Sequence, residues 1–308
     1  MAQVKSYTAK GVALLDVILG YDCNLACDYC TISPDMRSRS LPTTAVVRAL
    51  REGWALGFDA VSFTGGEPTQ RADLLGLLGA ARSLGFKDLK VQTNGLMLAQ
   101  PENLDRLIAA GLTRLHISIH AHEREAYERL VRREGTWDLM RRAVELAVGR
   151  APAISFVADV IIKDDTWQRL PAAIAWLADL GVREVHLWYV SLSDGNKDNV
   201  KSLPKMSEVM PTMHDALRLG AARAMLIRSL HVPRCLLGDF AANAWDPGAD
   251  RVRVVSPDST FDLKDSRLAG RVHVAACERC TFRSVCPGVR PDYLAVFGEE
   301  EFRPVAAP

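Results

Sequence analysis

The chain lacks any run that approaches the ~20 consecutive apolar residues of a membrane-spanning helix. It also lacks an excess of charge, since 38 basic residues face 37 acidic ones and leave +1. Without a basic surplus there is no global electrostatic argument for nucleic acid or an anionic membrane surface as a partner. Met1–Lys10 carries no apolar stretch of the signal-peptide type, so the protein is read as cytoplasmic, where thiols stay reduced. An even cysteine count is missing too. Seven is odd, which argues against a framework built only from disulfides.

What is present is an ordinary globular balance, 48% hydrophobic and 24% charged over 308 residues. That is room for one large α/β domain and a small appendage. The cysteines fall into two groups, Cys23, Cys27 and Cys30 near the start and Cys235, Cys277, Cys280 and Cys286 near the end. Three plus four suggests one open cluster and one closed metal site, with no thiol left over.

The first group follows Val12–Leu19, an apolar run with the length and composition of a buried strand. Its spacing is too tight for a four-thiolate zinc knuckle and one thiolate short of a closed iron–sulfur cubane. Three ligands on four irons leave one iron for a partner that is not protein. A second strand, Ala60–Thr64, runs into Gly65-Gly66-Glu67-Pro68. Two glycines there allow close backbone approach or positive φ, the Glu supplies an acceptor, and the Pro ends the segment.

The pattern Cys-x3-Cys-x-Tyr-Cys resembles the signature of the radical S-adenosylmethionine (radical SAM) enzymes, and Gly65-Gly66-Glu67-Pro68 resembles their second-strand motif. The resemblance implies a 4Fe–4S cluster on Cys23, Cys27 and Cys30, its open iron chelated by the amino and carboxylate groups of SAM. It implies Tyr29 near the adenine and Gly65, Gly66, Glu67 and Pro68 at the SAM amino group. Asn94 would lie near the methionyl and ribose groups, and Ser118 beside the ribose. From the residues alone, Thr93-Asn94-Gly95 reads equally as a strand-to-turn stop.

Periodicity places helices at Pro42 onward (Val46, Leu50, Trp54 inward), at Leu74–Leu78, at Pro101–Gly111, around Met140–Ala147 and at Leu170–Gly181. Strands at Leu89–Thr93, Leu115–Ile119, Ile154–Ile162 and Glu184–Val190 alternate with them. Six strands in such alternation argue for an α/β fold with a parallel sheet. The resemblance makes it a partial (β/α)6 TIM-like barrel over residues 1–229, with a small iron–sulfur (Twitch-like) extension over 230–308. Ligands gather at the carboxyl ends of such strands, so His120, Tyr189 and Ser191 become candidate substrate contacts. Arg132 and Arg133 are expected to be solvated charge, and Met206–Ser229 one long helix.

In the tail, Ser256-Pro257-Asp258-Ser259 marks a hairpin between two short strands. Beyond it, Cys277-x2-Cys280-x5-Cys286 resembles the core of the SPASM and Twitch extensions. This implies an auxiliary 4Fe–4S cluster with Cys235 as its fourth ligand; a structural zinc site is the alternative.

The expected activity is reductive cleavage of SAM to a 5′-deoxyadenosyl radical that abstracts hydrogen from a small-molecule substrate. The auxiliary cluster could make the net reaction an oxidation. An electron donor such as flavodoxin or ferredoxin is implied, and neither nucleic acid nor a membrane. A peptide-modifying maturase is the alternative; only about ten residues precede the first strand, which lowers it. The molybdenum-cofactor cyclase is a third option, but its tail cysteine spacing is longer and its C-terminal Gly-Gly is absent here. A non-enzymatic iron–sulfur scaffold or electron carrier would have no use for Gly65-Gly66-Glu67-Pro68.

Overall fold

The computed structural model describes residues 12–245, 250–265 and 271–306. Met1–Lys10, read for a leader, and Ala307–Pro308 lie outside them. Among the described residues nine strands form one sheet: β1 (Ala13–Ile18), β2 (Ala60–Thr64), β3 (Asp88–Thr93), β4 (Arg114–Ser118), β5 (Ser155–Ile162), β6 (Glu184–Tyr189), β7 (Leu226–Leu230), β8 (Arg251–Val255) and β9 (Thr260–Asp262). The order is β7-β6-β5-β4-β3-β2-β1-β8-β9. All neighbours are parallel except β8 and β9, which form an antiparallel hairpin.

The helices are α1 (Thr43–Ala55), α2 (Leu74–Leu84), α3 (Pro101–Ala110), α4 (Arg124–Val131), α5 (Trp137–Gly149), α6 (Leu170–Asp179), α7 (Met206–Ala222), α8 (Arg234–Leu237) and α9 (Pro291–Phe297). None among the described residues is long and apolar enough to cross a membrane. Crossover helices between parallel strands bury one sheet face. Leu15, Val17, Val61, Phe63, Leu89, Val91, Leu115 and Ile117 form that face and are fully buried.

Paired residues in a parallel ladder share a face. The opposite face therefore carries Asp16, Ser62, Lys90, Gln92, Arg114, His116, Ser118, Asp159 and His186 in register. One face is oil and the other is polar. The polar face is where Thr64, Gln92 and Ser118 meet a cleft.

Three expectations need correction. Met206–Ser229 is not one helix: Ala224 takes a φ of 54°, the Met225 amide turns back to the Gly220 carbonyl, and the chain re-enters the sheet as β7. No glycine or proline announces that stop, because an alanine occupies the left-handed position glycine usually fills. Helix α4 was not anticipated, since four of its eight residues are charged and its buried stripe is only Ala126, Tyr127, Leu130 and Val131. Trp54 is 38% exposed, and Gly53 takes the third inward position of α1. The predicted hairpin exists, and it joins the edge of the barrel sheet by pairing β8 with β1.

Candidate active site

The cysteine loop leaves the end of β1 and is held at nearly every peptide group. Arg37 donates to the carbonyls of Cys23 (3.1 Å) and Leu25 (2.9 Å), and Arg133 to that of Asn24 (2.7 Å). The amides of Ala26 and Asp28 bond to the carbonyls of Val131 and Leu130 at the end of α4. Asn199 donates to the Asp28 carbonyl, and buried Lys163 lies 3.3 Å from the Asp28 carboxylate. Arg133 is thus not merely solvated charge. These bonds fix the backbone course of the loop, which is what a preorganised metal site requires.

Cys23, Cys27 and Cys30 line one cleft together with Gly65, Gly66, Asn94, Ser118, Tyr29 and His120. Burial, with the neighbouring Cys30 and Cys23, pushes the Cys27 thiol far above its ordinary range. Burial raises the Cys23 thiol as well, and a cation bound among these sulfurs would favour their thiolate forms. No three of the seven sulfurs lie within 4.8 Å of one another, since the sole such donor group among the described residues is His116, Asp159 and His186. Thiolates on one zinc ion sit about 3.8 Å apart, given Zn–S bonds of about 2.3 Å. The donor set and its wider spread fit a cluster rather than a single ion.

The Gly65-Gly66 backbone has two tasks. Gly65 holds a φ of +130°, and a Cβ on Gly66 would stand 1.9 Å from the Asp22 carbonyl oxygen. The Gly66 and Glu67 amides donate to the Gly20 and Asp22 carbonyls at 2.8 and 2.7 Å. The glycines therefore let the end of β2 press against the cysteine loop as well as face the cleft. Glu67 does not face it. Its buried carboxylate accepts from the Asn94 amide (2.8 Å), the Thr93 hydroxyl (2.6 Å), the Thr69 amide (2.9 Å) and the Thr69 hydroxyl. Its side chain ties the end of β2 to that of β3 instead of offering a free acceptor, and Pro68 opens the short turn beside it.

Glu67→Gln should therefore act on stability. One amide oxygen cannot serve four donors, and the new N–H2 faces donors. A loss of about 1–3 kcal/mol is expected, measured by urea unfolding of the cluster-free protein. An unchanged unfolding midpoint would remove Glu67 from the structural role.

Asn94 Nδ2 donates to Asn24 Oδ1 at 2.7 Å, which links β3 to the cysteine loop. The Tyr29 hydroxyl meets His120 Nε2, and the two rings lie edge-to-face at 5.0 Å. Burial lowers His120 to about 4, so its ring is neutral. Tyr189 is misplaced as a substrate contact: it alternates with Trp188, faces the helices, is 2% exposed and donates to the Pro204 carbonyl. Trp188 is the β6 residue on the polar face, donating to Asp159 at 3.1 Å. The alternation His186, Trp188 was the signal that could have found it. Ser191 accepts through its carbonyl from Asn196.

In the tail, Cys235 on α8 meets Cys277, Cys280 and Cys286 around one cavity. Burial and the three neighbouring thiols push Cys235 up to about 12, and the shared cavity brings it to cysteines that begin 42 positions later in the sequence. The end of β7 delivers Cys235. The Arg234 side chain then bonds to the Val285 carbonyl at 3.1 Å, fastening α8 to the last cysteine turn.

The sequence profile of the Radical SAM superfamily matches residues 17–177. Among curated relatives, molybdenum cofactor biosynthesis protein moc-5 of Caenorhabditis elegans is 35% identical over 145 residues, 46% of this chain and 24% of that protein. A probable GTP 3′,8-cyclase of Methanopyrus kandleri is 34% identical over 161 residues, 51% of this chain and 50% of that protein. The chain thus spans half or less of those two relatives. Among solved structures, Streptococcus suis SuiB bound to S-adenosylmethionine aligns with a TM-score of 0.66 at 13% identity, covering 96% of this chain and 77% of that one. Native anSMEcpe with bound AdoMet and the Cp18Cys peptide gives a TM-score of 0.67 at 14% identity, covering 96% and 93%. At such identities the likeness is one of fold, here the partial TIM barrel. Because the family profile covers more than half of the chain, the protein belongs to the radical SAM superfamily, enzymes that use a 4Fe–4S cluster and S-adenosylmethionine.

Proposed function

We propose that the protein uses SAM to start hydrogen abstraction from a small-molecule substrate, with the tail cysteines holding an auxiliary 4Fe–4S cluster that receives an electron. Bound at the first cluster, SAM supplies methionine and a 5′-deoxyadenosyl radical on one-electron reduction. A substrate would give up one hydrogen atom to that chemistry, and one further electron and a proton, to reach a two-electron oxidised product. The first electron would come from an external donor of the flavodoxin or ferredoxin class, and the tail cysteines would hold the acceptor of the second. The observation that carries this reading is the convergence of three cysteines on one cleft and four on another.

Each residue has a limited task. Cys23, Cys27 and Cys30 would hold the first cluster, with the Gly65-Gly66 backbone, Asn94 and Ser118 around SAM and Tyr29 fixed by His120. Four thiols in the tail leave no protein-free position, so the auxiliary cluster would not bind substrate through iron. A small-molecule substrate is supported by the relatives named as GTP 3′,8-cyclases. The tail is fastened beside the end of β6: Arg290 donates to the Tyr189 and Val190 carbonyls, and Asp292 accepts from the Leu192 amide.

A second reading, GTP cyclisation, rests on the relatives named as GTP 3′,8-cyclases, whose similarity covers about half of the chain. The test is anaerobic incubation of the reconstituted enzyme with dithionite and SAM, with and without GTP, following 5′-deoxyadenosine. Slow deoxyadenosine formation without GTP is expected, and retention of it in Cys235→Ala. No deoxyadenosine under any condition would reject the reading. A GTP-dependent burst with a cyclised product would replace the first substrate class by the second.

A further inference from the structure

The barrel's polar face carries a donor set that neither the cluster sites nor the SAM cleft uses. His116 on β4, Asp159 on β5 and His186 on β6 are buried, and one donor atom from each lies within 4.8 Å of the others. His116 Nδ1 is 3.2 Å from Asp159 Oδ1, and His186 Nδ1 is 3.9 Å from that same oxygen. Two imidazole nitrogens thus converge on one carboxylate, one at hydrogen-bond distance and one beyond it.

The surroundings decide what fills the gap. His186 Nε2 lies 3.0 Å from Glu184 Oε1. A carboxylate only accepts, so Nε2 carries the proton, and in the neutral ring Nδ1 presents its lone pair toward Asp159. A lone pair facing a buried carboxylate is repulsive unless a positive species lies between them. Either a second proton or a metal ion meets that need. Around metals, a ligating histidine donates its other N–H to a carboxylate that is itself held. Glu184 is held in this way, 3.8 Å from Arg114. The carboxylate is oriented too, by the Trp188 indole at 3.1 Å. His116 Nδ1, 3.2 Å from both Asp159 oxygens, donates to that carboxylate by the same rule when no ion is bound; an ion would displace this proton to Nε2, which is buried and takes no other hydrogen bond.

We propose that His116, Asp159 and His186 bind one divalent transition ion of the Zn2+ or Fe2+ type in the barrel interior. Two imidazoles and one carboxylate are the donor set such ions favour. Bonds of about 2.0–2.2 Å need donor spacings of roughly 3–3.6 Å, so closure asks for movement on the order of 1–2 Å at His186. The remaining positions stay open to water or to an oxygen or nitrogen donor of the substrate. Ser118, which lines the SAM cleft, is two residues along β4 from His116, about 7 Å away. An ion held there would lie behind the cleft that Ser118 lines, on the polar face of the sheet, and would take a donor atom of a substrate bound in that cleft. This role rests on the proposed function; the site itself does not.

The test uses the reconstituted holoenzyme, whose cysteines are already committed to iron. After equilibration with zinc chloride and gel filtration, zinc and iron are counted and the zinc coordination is read by X-ray absorption. About one zinc per chain with nitrogen and oxygen neighbours only is expected. His116→Gln with His186→Gln should reduce it to below about a tenth at unchanged iron, and Glu184→Gln should weaken zinc binding by about 10–100-fold. Glutamine keeps a polar partner for the buried carboxylates, so the variants retain the fold. Zinc with sulfur neighbours, no retained zinc, or equal zinc in the double variant would overturn the site and assign the gap to a proton. A retained zinc without deoxyadenosine chemistry would leave the site standing and reject only the substrate role.

Discussion

Replacing Cys23, Cys27 and Cys30 together by alanine should lower the iron of the reconstituted enzyme from roughly eight per chain to roughly four and abolish 5′-deoxyadenosine formation. The expectation follows from the separation of the two cysteine sets, which line different cavities and share no residue. It also follows from the way the loop is held. Its fixing contacts run through backbone carbonyls and amides to Arg37, Arg133 and α4, none of which the substitutions remove. The loop should keep its course without the thiols, and circular dichroism of the triple variant should match the cluster-free wild type. Iron assay and deoxyadenosine chromatography give the readings. A triple variant with full iron would mean that these cysteines hold no cluster, and the proposed function would fall with it.

The second large effect is expected at Gly66. Valine there places Cβ where the Asp22 carbonyl already lies, 1.9 Å away, and a carbonyl cannot swing aside as a flexible side chain does. Either the cysteine loop moves or the end of β2 does, and both break the Glu67 amide bond to Asp22. The cost should reach about 3 kcal/mol or more, together with loss of the first cluster's iron. Sequence reasoning predicts lost SAM affinity with iron intact, since glycine there permits backbone approach to a ligand. The structure shifts the damage to the loop that carries the cysteines. Gly79 on α2 is the control: a Cβ there meets nothing within 4 Å, so Gly79→Ala should be neutral or stabilising by about 0.5–1 kcal/mol. Normal iron and SAM turnover in Gly66→Val would refute the contact.

Much of the candidate site was legible because its signals are local. Cys-x3-Cys-x-Tyr-Cys and Gly-Gly-Glu-Pro lie on short segments whose chemistry is set by residue type and spacing, and strands β1 to β6 followed from period and composition. What escaped depended on long-range partners. Arg133 reads as surface charge until Asn24, 109 positions earlier, is seen to need it. Tyr189 and Trp188 are neighbours in sequence, and only the register of β6 tells which one faces the barrel interior.

By itself, then, the sequence determined the alternating α/β pattern, the radical SAM signature and the grouping of thiols as three and four. These rest on covalent spacing and local periodicity, which no partner can change. Tertiary structure alone decided that Glu67 braces two strand ends, that Cys235 joins a turn 42 positions later, and that His116, Asp159 and His186 share one buried layer. Parallel pairing causes this. Each strand returns only after a crossover helix, so residues side by side in the sheet lie tens of positions apart in the chain. A polar side chain's partner is then named by register, and register is set by the packed apolar face.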